Sequence, residues 1–385
     1  MRFMPFLQRK TGKCSICGKE HVTISSNIGV CIDCLRNNSE KALPIALKAH
    51  YRFRENIGLP TEPPKPDNGK LCSYCGNMCR IPPNGIGFCG IISNINGLLS
   101  FRTRKWKEAV GLYYLDPHPT NCVAEKVCPA NTSRGYPEYT SSKSIEYGYY
   151  NLAVFYGGCN FDCLFCQNYD HKIMATKIRP TMTADELYKA SMNPRVTCIC
   201  YFGGDPGPFA VHALYVSRKI LKAAKEKGLI KRICWETNGY ENPVIMKEMA
   251  RLSFESGGII KIDFKAWTPE VYKALTGVDA SKRVRENVKL VGKMFSERPE
   301  IPLLVVSILL VPGYVDVYEV SKIGEYVASI NDKIPVVLLA FHPEHRLNDL
   351  PPTSRRHTEE CLKELKKIGL KEIYIGNWWL LGNYY

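Results

Sequence analysis

The stretch Gly157-Gly158-Cys159-Asn160-Phe161-Asp162-Cys163-Leu164-Phe165-Cys166-Gln167-Asn168 sets three cysteines at C-x3-C-x2-C, just past an apolar run at 152–155. Three close thiolates can hold three irons of a 4Fe–4S cluster, because soft sulfur ligands suit iron–sulfur chemistry. The fourth iron then has no protein ligand and is free to bind a small molecule. A zinc knuckle lacking its fourth ligand is the competing reading of the same spacing.

From residue 149 onward the surroundings of this loop repeat a strand-then-helix pattern. Apolar runs at 152–156, 196–202, 233–235, 259–264, 303–311, 336–341 and 373–375 alternate with helical patterns at 187–192, 211–225, 243–252, 283–294, 317–330 and 358–368. Such alternation implies an α/β fold with a parallel sheet covered by helices. Six units and a short last strand predict a partial (β/α)6 TIM-like barrel, whose chemistry sits at the strands' carboxyl ends.

Polar and glycine residues follow the runs, as that fold requires. The second run ends in Gly203-Gly204-Asp205 and the third in Glu236-Thr237-Asn238-Gly239. Glycines let a backbone approach a ligand closely. The fourth carries Asp263 and Lys265, alternate residues on one side of a strand, where charge is costly unless paired or ligand-bound. The sixth ends in Phe341-His342-Pro343, with His342 opposite the cysteine loop.

Upstream, the chain is rich in cysteine. Residues 14–34 read C-x2-C-x13-C-x2-C, two knuckles that close on one tetrahedral ion through Cys14, Cys17, Cys31 and Cys34, as in a zinc ribbon or a rubredoxin-like iron site. Cys72, Cys75, Cys79 and Cys89 imply a second site, open between zinc and an iron–sulfur cluster. Cys122 and Cys128 either complete a site with ligands from elsewhere or are unconnected loop thiols. Cys198, Cys200, Cys234 and Cys361 fall in apolar or helical patterns and read as core cysteines. The expected organisation is a four-cysteine module at 1–40, a helix and Pro-rich linker at 41–69, a second cysteine-rich module and loop at 70–148, and the barrel at 149–385.

The chain's 385 residues, 45% hydrophobic and 23% charged, are ordinary for a globular protein with a sizeable core. No apolar stretch approaches the ~20 residues of a membrane span. The patch at 3–7 is too short for a secretory signal, so the expected location is the cytoplasm, with no membrane partner. A net charge of +15 admits an anionic partner, but the basic residues are spread along the chain as on a solvated surface.

Together these motifs resemble the radical S-adenosylmethionine (SAM) superfamily, and within it the enzymes related to pyruvate formate-lyase-activating enzyme. Residues 72–385 are most similar to AmmeMemoRadiSam-system radical SAM enzymes. The resemblance rests on Phe88-Cys89-Gly90, Gly158-Cys159-Asn160, Cys166-Gln167-Asn168, Ile262-Asp263-Phe264-Lys265-Ala266, Phe341-His342-Pro343, Asp349-Leu350-Pro351-Pro352-Thr353 and Tyr374-Ile375-Gly376-Asn377. It implies that Cys159, Cys163 and Cys166 bind the 4Fe–4S cluster and that Phe165 flanks the adenine. It further implies that Gly203, Gly204 and Asp205 receive the methionine amino group, and that Glu236, Asp263, Lys265 and His342 lie near the carboxylate or ribose. The implied activity is reductive cleavage of SAM to a 5′-deoxyadenosyl radical that abstracts hydrogen from a substrate, with a protein residue as the activating-enzyme-like target. An electron donor such as ferredoxin or flavodoxin is implied as a partner. RNA modification by the same chemistry and a non-enzymatic multi-zinc binding protein are the competing readings.

Overall fold

A computed structural model describes residues 11–120 and 122–385. The apolar patch at 3–7 lies outside the described residues. The chain opens with a small hairpin, β1 (Gly12–Lys13) and β2 (Glu20–His21), then α1 (Ile32–Asn37), α2 (Ser39–Ala46) and α3 (Lys48–Asn56). Short strands β3 (Lys70–Leu71), β4 (Arg80–Ile81), β5 (Ile92–Ile95) and β6 (Leu98–Phe101) follow, then β7 (Glu108–Pro117) and α4 (Pro129–Thr132). The larger part runs β8 (Tyr150–Tyr156), α5 (Asp170–Lys177), β9 (Thr181–Thr183), α6 (Ala184–Ser191), β10 (Val196–Gly203), α7 (Ala210–Lys227), β11 (Arg232–Thr237) and α8 (Pro243–Ser256). It ends with β12 (Ile260–Asp263), α9 (Pro269–Thr276), α10 (Ser281–Gly292), β13 (Leu304–Leu310), α11 (Val317–Ile330), β14 (Val336–Ala340), α12 (Arg355–Ile368) and β15 (Ile373–Gly376).

The main sheet has the order β15-β14-β13-β12-β11-β10-β8-β7-β9. From β8 to β15 every pairing is parallel. β7, from the segment before the expected barrel, pairs antiparallel with β8 and extends the sheet beyond it. The parallel strands read as continuous apolar runs because helices and lumen bury both faces. Alternation along each strand divides the work. On β10, Ile199 and Tyr201 belong to the main hydrophobic core, and Tyr201 stacks with Tyr156 and Trp235. Cys198 and Cys200 face the other way and cluster with Cys234 of β11. One cavity is lined by residues from the β8 loop round to Asn377 beyond β15, so the sheet curls.

The helix expected ahead of the Pro-rich linker is two helices, divided at Leu47. The Pro-rich segment carries no helix or strand, as four prolines require. It is nonetheless tied down: Pro64 accepts from the Arg80 amide at 2.7 Å, and Lys65 Nζ donates to the Met78 carbonyl at 2.8 Å. Among the described residues no helix is long and apolar enough to cross a membrane.

Candidate active site

β8 delivers the chain to Gly157 and Gly158, and the cysteine loop then crosses the carboxyl end of the sheet. Gly158 has φ +88°, and a Cβ there would meet Ile91 at 2.6 Å, so the turn needs glycine. The loop is fixed from three sides. The Asp162 and Leu164 amides donate to the Thr276 and Leu275 carbonyls at 2.8 and 3.0 Å. Asn77 Nδ2 donates to the Asn160 carbonyl at 2.7 Å. Asp162 itself is buried and accepts from Lys172 Nζ at 2.5 Å, with Arg54 at 3.4 Å and His50 at 2.9 Å. Burial works against its charge, but these groups hold its carboxyl well below the usual carboxylate range.

Cys159, Cys163 and Cys166 all line one cavity of about 210 Å³. Phe165, Gly203, Gly204, Asp205, Glu236, Asp263 and Lys265 line it as well. Gly204 packs so closely that a Cβ would lie 2.0 Å from the Gly158 carbonyl oxygen. Asp263 and Lys265 form an ion pair, and Lys265 Nζ stands 5.3 Å from the Phe165 ring centroid. Buried Oδ1 of Asp263 and Nδ1 of His171 have no hydrogen-bond partner, and both residues are on the cavity wall. Unpartnered buried polar atoms are costly, and a polar ligand in the cavity would satisfy them.

Two of the expected contacts stand differently from the rest. His342 is not on the wall: its side chain is 43% exposed and pairs with Glu344 at 3.7 Å. Asp205 is on the wall, but its carboxylate is already used. It accepts from the Gly207 amide at 2.8 Å, the Asn238 amide at 2.9 Å and Thr237 Oγ1 at 3.0 Å. Its side chain therefore braces the end of β11.

Sequence reasoning missed Asn238, Ser307 and Lys261 on the same wall. Asn238 Nδ2 donates to Asn160 Oδ1 at 2.5 Å and lies 3.7 Å from Cys159 Sγ. Lys261 pairs with Glu236 at 3.2 Å. It stands two residues before Asp263, so the alternation that exposed Asp263 and Lys265 carried this signal too. A serine inside the apolar β13 run was the corresponding sign for Ser307.

The three cysteine groups differ in spacing. A tetrahedral ion with sulfur about 2.3 Å away sets its thiolates about 3.8 Å apart. Cys14–Cys34 and Cys17–Cys31 are each 3.7 Å apart, and all four ligand atoms lie within 4.8 Å of one another. Among the described residues no other group of three or more potential ligands is gathered so tightly. The central trio is therefore not drawn together as a zinc knuckle would be. Burial pushes the Cys163 thiol up to about 12, so its thiolate needs a cation beside it. Cys72, Cys75, Cys79 and Cys89 share a small closed cavity beside Pro208.

The four-cysteine module docks onto the barrel through long-range contacts. Arg36 donates to both Asp316 oxygens at 2.8 and 2.7 Å and to Glu319 at 2.6 Å. Ser26 donates to Asp349 through its amide and its hydroxyl, each at 2.7 Å.

Residues 153–322 match the Radical SAM superfamily. Over 323 residues the chain is 28% identical to the uncharacterized protein MJ0808 of Methanocaldococcus jannaschii, covering 81% of this chain and 82% of that one. It is 22% identical to the pyruvate formate-lyase 1-activating enzyme of Escherichia coli K12, covering 57% and 90%. A solved structure of native anSMEcpe with bound AdoMet and Cp18Cys peptide aligns at 14% identity and a TM-score of 0.37, over 55% of this chain and 56% of that one. Residues 153–322 thus form a radical SAM superfamily domain, in a chain similar to activating enzymes of that superfamily.

Proposed function

We propose that the chain is an enzyme that cleaves SAM reductively and uses the resulting radical to take hydrogen from a protein residue. The observation that carries this reading is the set of three separate thiols on one cavity wall with the Gly203-Gly204 backbone and the Asp263–Lys265 pair. Cys159, Cys163 and Cys166 would hold a 4Fe–4S cluster, which would supply one electron to the SAM sulfonium, giving methionine and a 5′-deoxyadenosyl radical.

The protein's own residues bind and orient. The Gly203-Gly204 backbone, free of side chains, lets the methionine amino group approach. Asp263, with its unpartnered Oδ1, and Lys265 receive polar groups of SAM, and Phe165 flanks the adenine. Glu236, on the same wall, is held by Lys261. Asn238 and Asp162 fix the cysteine loop, which sets the distance between reacting atoms. His342, off the cavity wall and paired with Glu344, is left out of these contacts.

Similarity to pyruvate formate-lyase 1-activating enzyme supports a protein substrate. For the other sites, the 3.7 Å edges support one tetrahedral ion, zinc or iron, at Cys14/Cys17/Cys31/Cys34. The looser Cys72/Cys75/Cys79/Cys89 set supports an iron–sulfur cluster. The test is anaerobic reconstitution, then dithionite and SAM. The wild type should release methionine and 5′-deoxyadenosine, and the Cys159→Ala/Cys163→Ala/Cys166→Ala variant should not. A fully reconstituted wild type that leaves SAM intact would refute the reading.

A further inference from the structure

Five cysteines outside these groups converge inside the barrel. Cys198 and Cys200 on β10, Cys234 on β11, and Cys122 and Cys128 from the segment before β8 line one cavity of about 110 Å³. Three of the four expected core cysteines, all but Cys361, and the two unassigned loop thiols thus line a single chamber. Sheet register explains half of this: Cys200 is directly opposite Cys234. The loop explains the rest. Ala124, Val127 and Ala130 pack against Val305 and Val337 on the lumen side, and this plug carries Cys122 and Cys128 inward.

The chamber lies beneath the SAM cavity, because its residues precede Phe202, Glu236 and Asp263 along their strands. The two cavities share Phe202, Glu236 and Lys261 on their walls. A barrel of this type normally fills its lumen with bulky branched side chains. Here thiols replace them and leave a void.

Donor chemistry and spacing narrow the occupant. Soft thiolates suit zinc, copper(I) and iron–sulfur clusters. Cys198 Sγ and Cys234 Sγ are 3.6 Å apart, the edge expected at one metal. Yet no third ligand atom joins them within 4.8 Å, in contrast to the preformed four-cysteine site of the same chain. Five thiols around a void, too dispersed for one ion, suit a group with several metal atoms. Lys261 Nζ lies 3.1 Å from Cys200 Sγ and 3.4 Å from Cys122 Sγ, a fixed positive charge facing what would be an anionic group.

We propose that four of these five thiolates bind an iron–sulfur cluster in the barrel lumen, distinct from the cluster at Cys159, Cys163 and Cys166. Each ligating thiol gives up its proton to solvent as its sulfur binds iron. The site goes beyond the SAM-cleaving reading and does not depend on it.

The test counts iron, acid-labile sulfide and zinc in the anaerobically reconstituted full chain. The starting protein is the Cys159→Ala/Cys163→Ala/Cys166→Ala variant, which removes the SAM-binding cluster. Adding Cys122→Ser/Cys128→Ser, or separately Cys198→Ser/Cys234→Ser, should remove one further cluster's iron and sulfide and its reduced paramagnetic signal. Adding Cys361→Ser, a buried thiol outside the chamber, should change nothing. Melting curves check folding; should the sheet pair fail to fold, the loop pair decides. Iron and sulfide unchanged in the loop-pair variant, or a loss of zinc alone, overturns the proposal. Wild type that fails to cleave SAM would instead refute the function proposed above and leave this count untouched.

Discussion

His50 Nδ1 lies 2.9 Å from Asp162 Oδ2, joining the helix α3 to the middle of the cysteine loop across 112 positions of sequence. Both side chains are 1% exposed. Asp162 also neutralises Lys172, and Arg54 lies within 3.4 Å. Removing the one anion leaves buried cations unpaired, which costs about 3–5 kcal/mol. Asp162→Ala should therefore lower stability by that order in denaturant titration. It should also lower iron retained per chain at the central loop, although Asp162 is not a ligand.

Arg36 makes the corresponding link for the four-cysteine module. Its guanidinium spans Asp316 at the start of α11 and the fully buried Glu319. Glu319 also accepts from the Trp267 and Thr268 amides at 2.6 and 2.9 Å. Arg36→Ala should cost about 2 kcal/mol or more, less than a lone buried pair because those amides remain. Chelation of the ion proposed at Cys14/Cys17/Cys31/Cys34 should unfold the module, which is too small to hold a core alone. Limited proteolysis within 14–34 reads this directly.

Gly204 leaves no room for a side chain, since a Cβ would stand 2.0 Å from the Gly158 oxygen. Gly204→Ala must shift the strand end against the cysteine loop. A displacement near 1 Å at such a site costs about 100-fold in rate. The expected result is a comparable loss of 5′-deoxyadenosine formation with iron content little changed.

Glu146 and Arg232 form a buried pair at the base of the barrel, with Arg232 donating at 3.0 and 2.6 Å and Thr197 Oγ1 donating at 2.6 Å. Burial works to raise the Glu146 pKa, but hydrogen bonds and charge from Arg232 win and hold it down to about 2, from an ordinary 4.5. A depressed carboxylate stabilises the fold above its unfolded value and loses that contribution as pH falls through its folded value. Melting temperature should therefore fall between pH 4.5 and 2. Glu146→Gln should be less stable at neutral pH by about 3 kcal/mol and show a shallower fall across that window.

Much of the fold was legible because its signals are local. The alternation of apolar runs and helical patterns needs only a window of residues, and it located seven parallel strands and the helices α6, α7, α8, α10, α11 and α12. The short helices α5 and α9 escaped it, and β7 joined the sheet through pairing that no window contains. Asp263 and Lys265 were legible as strand-end charges for the same reason, whereas the inward turn of Asp205 depends on the Asn238 amide, 33 positions later.

The sequence by itself determined which residues are cysteine, how the three groups are spaced, and that strands alternate with helices, since spacing and periodicity are properties of neighbouring residues. Only the tertiary structure decided which thiols meet. Cys200 and Cys234 come together through strand register, Cys122 and Cys128 join them on a plug packed into the lumen, and His50 reaches Asp162 through helix docking. Those meetings arise from burying apolar faces far apart in the chain, and the polar and sulfur groups go where that burial carries them.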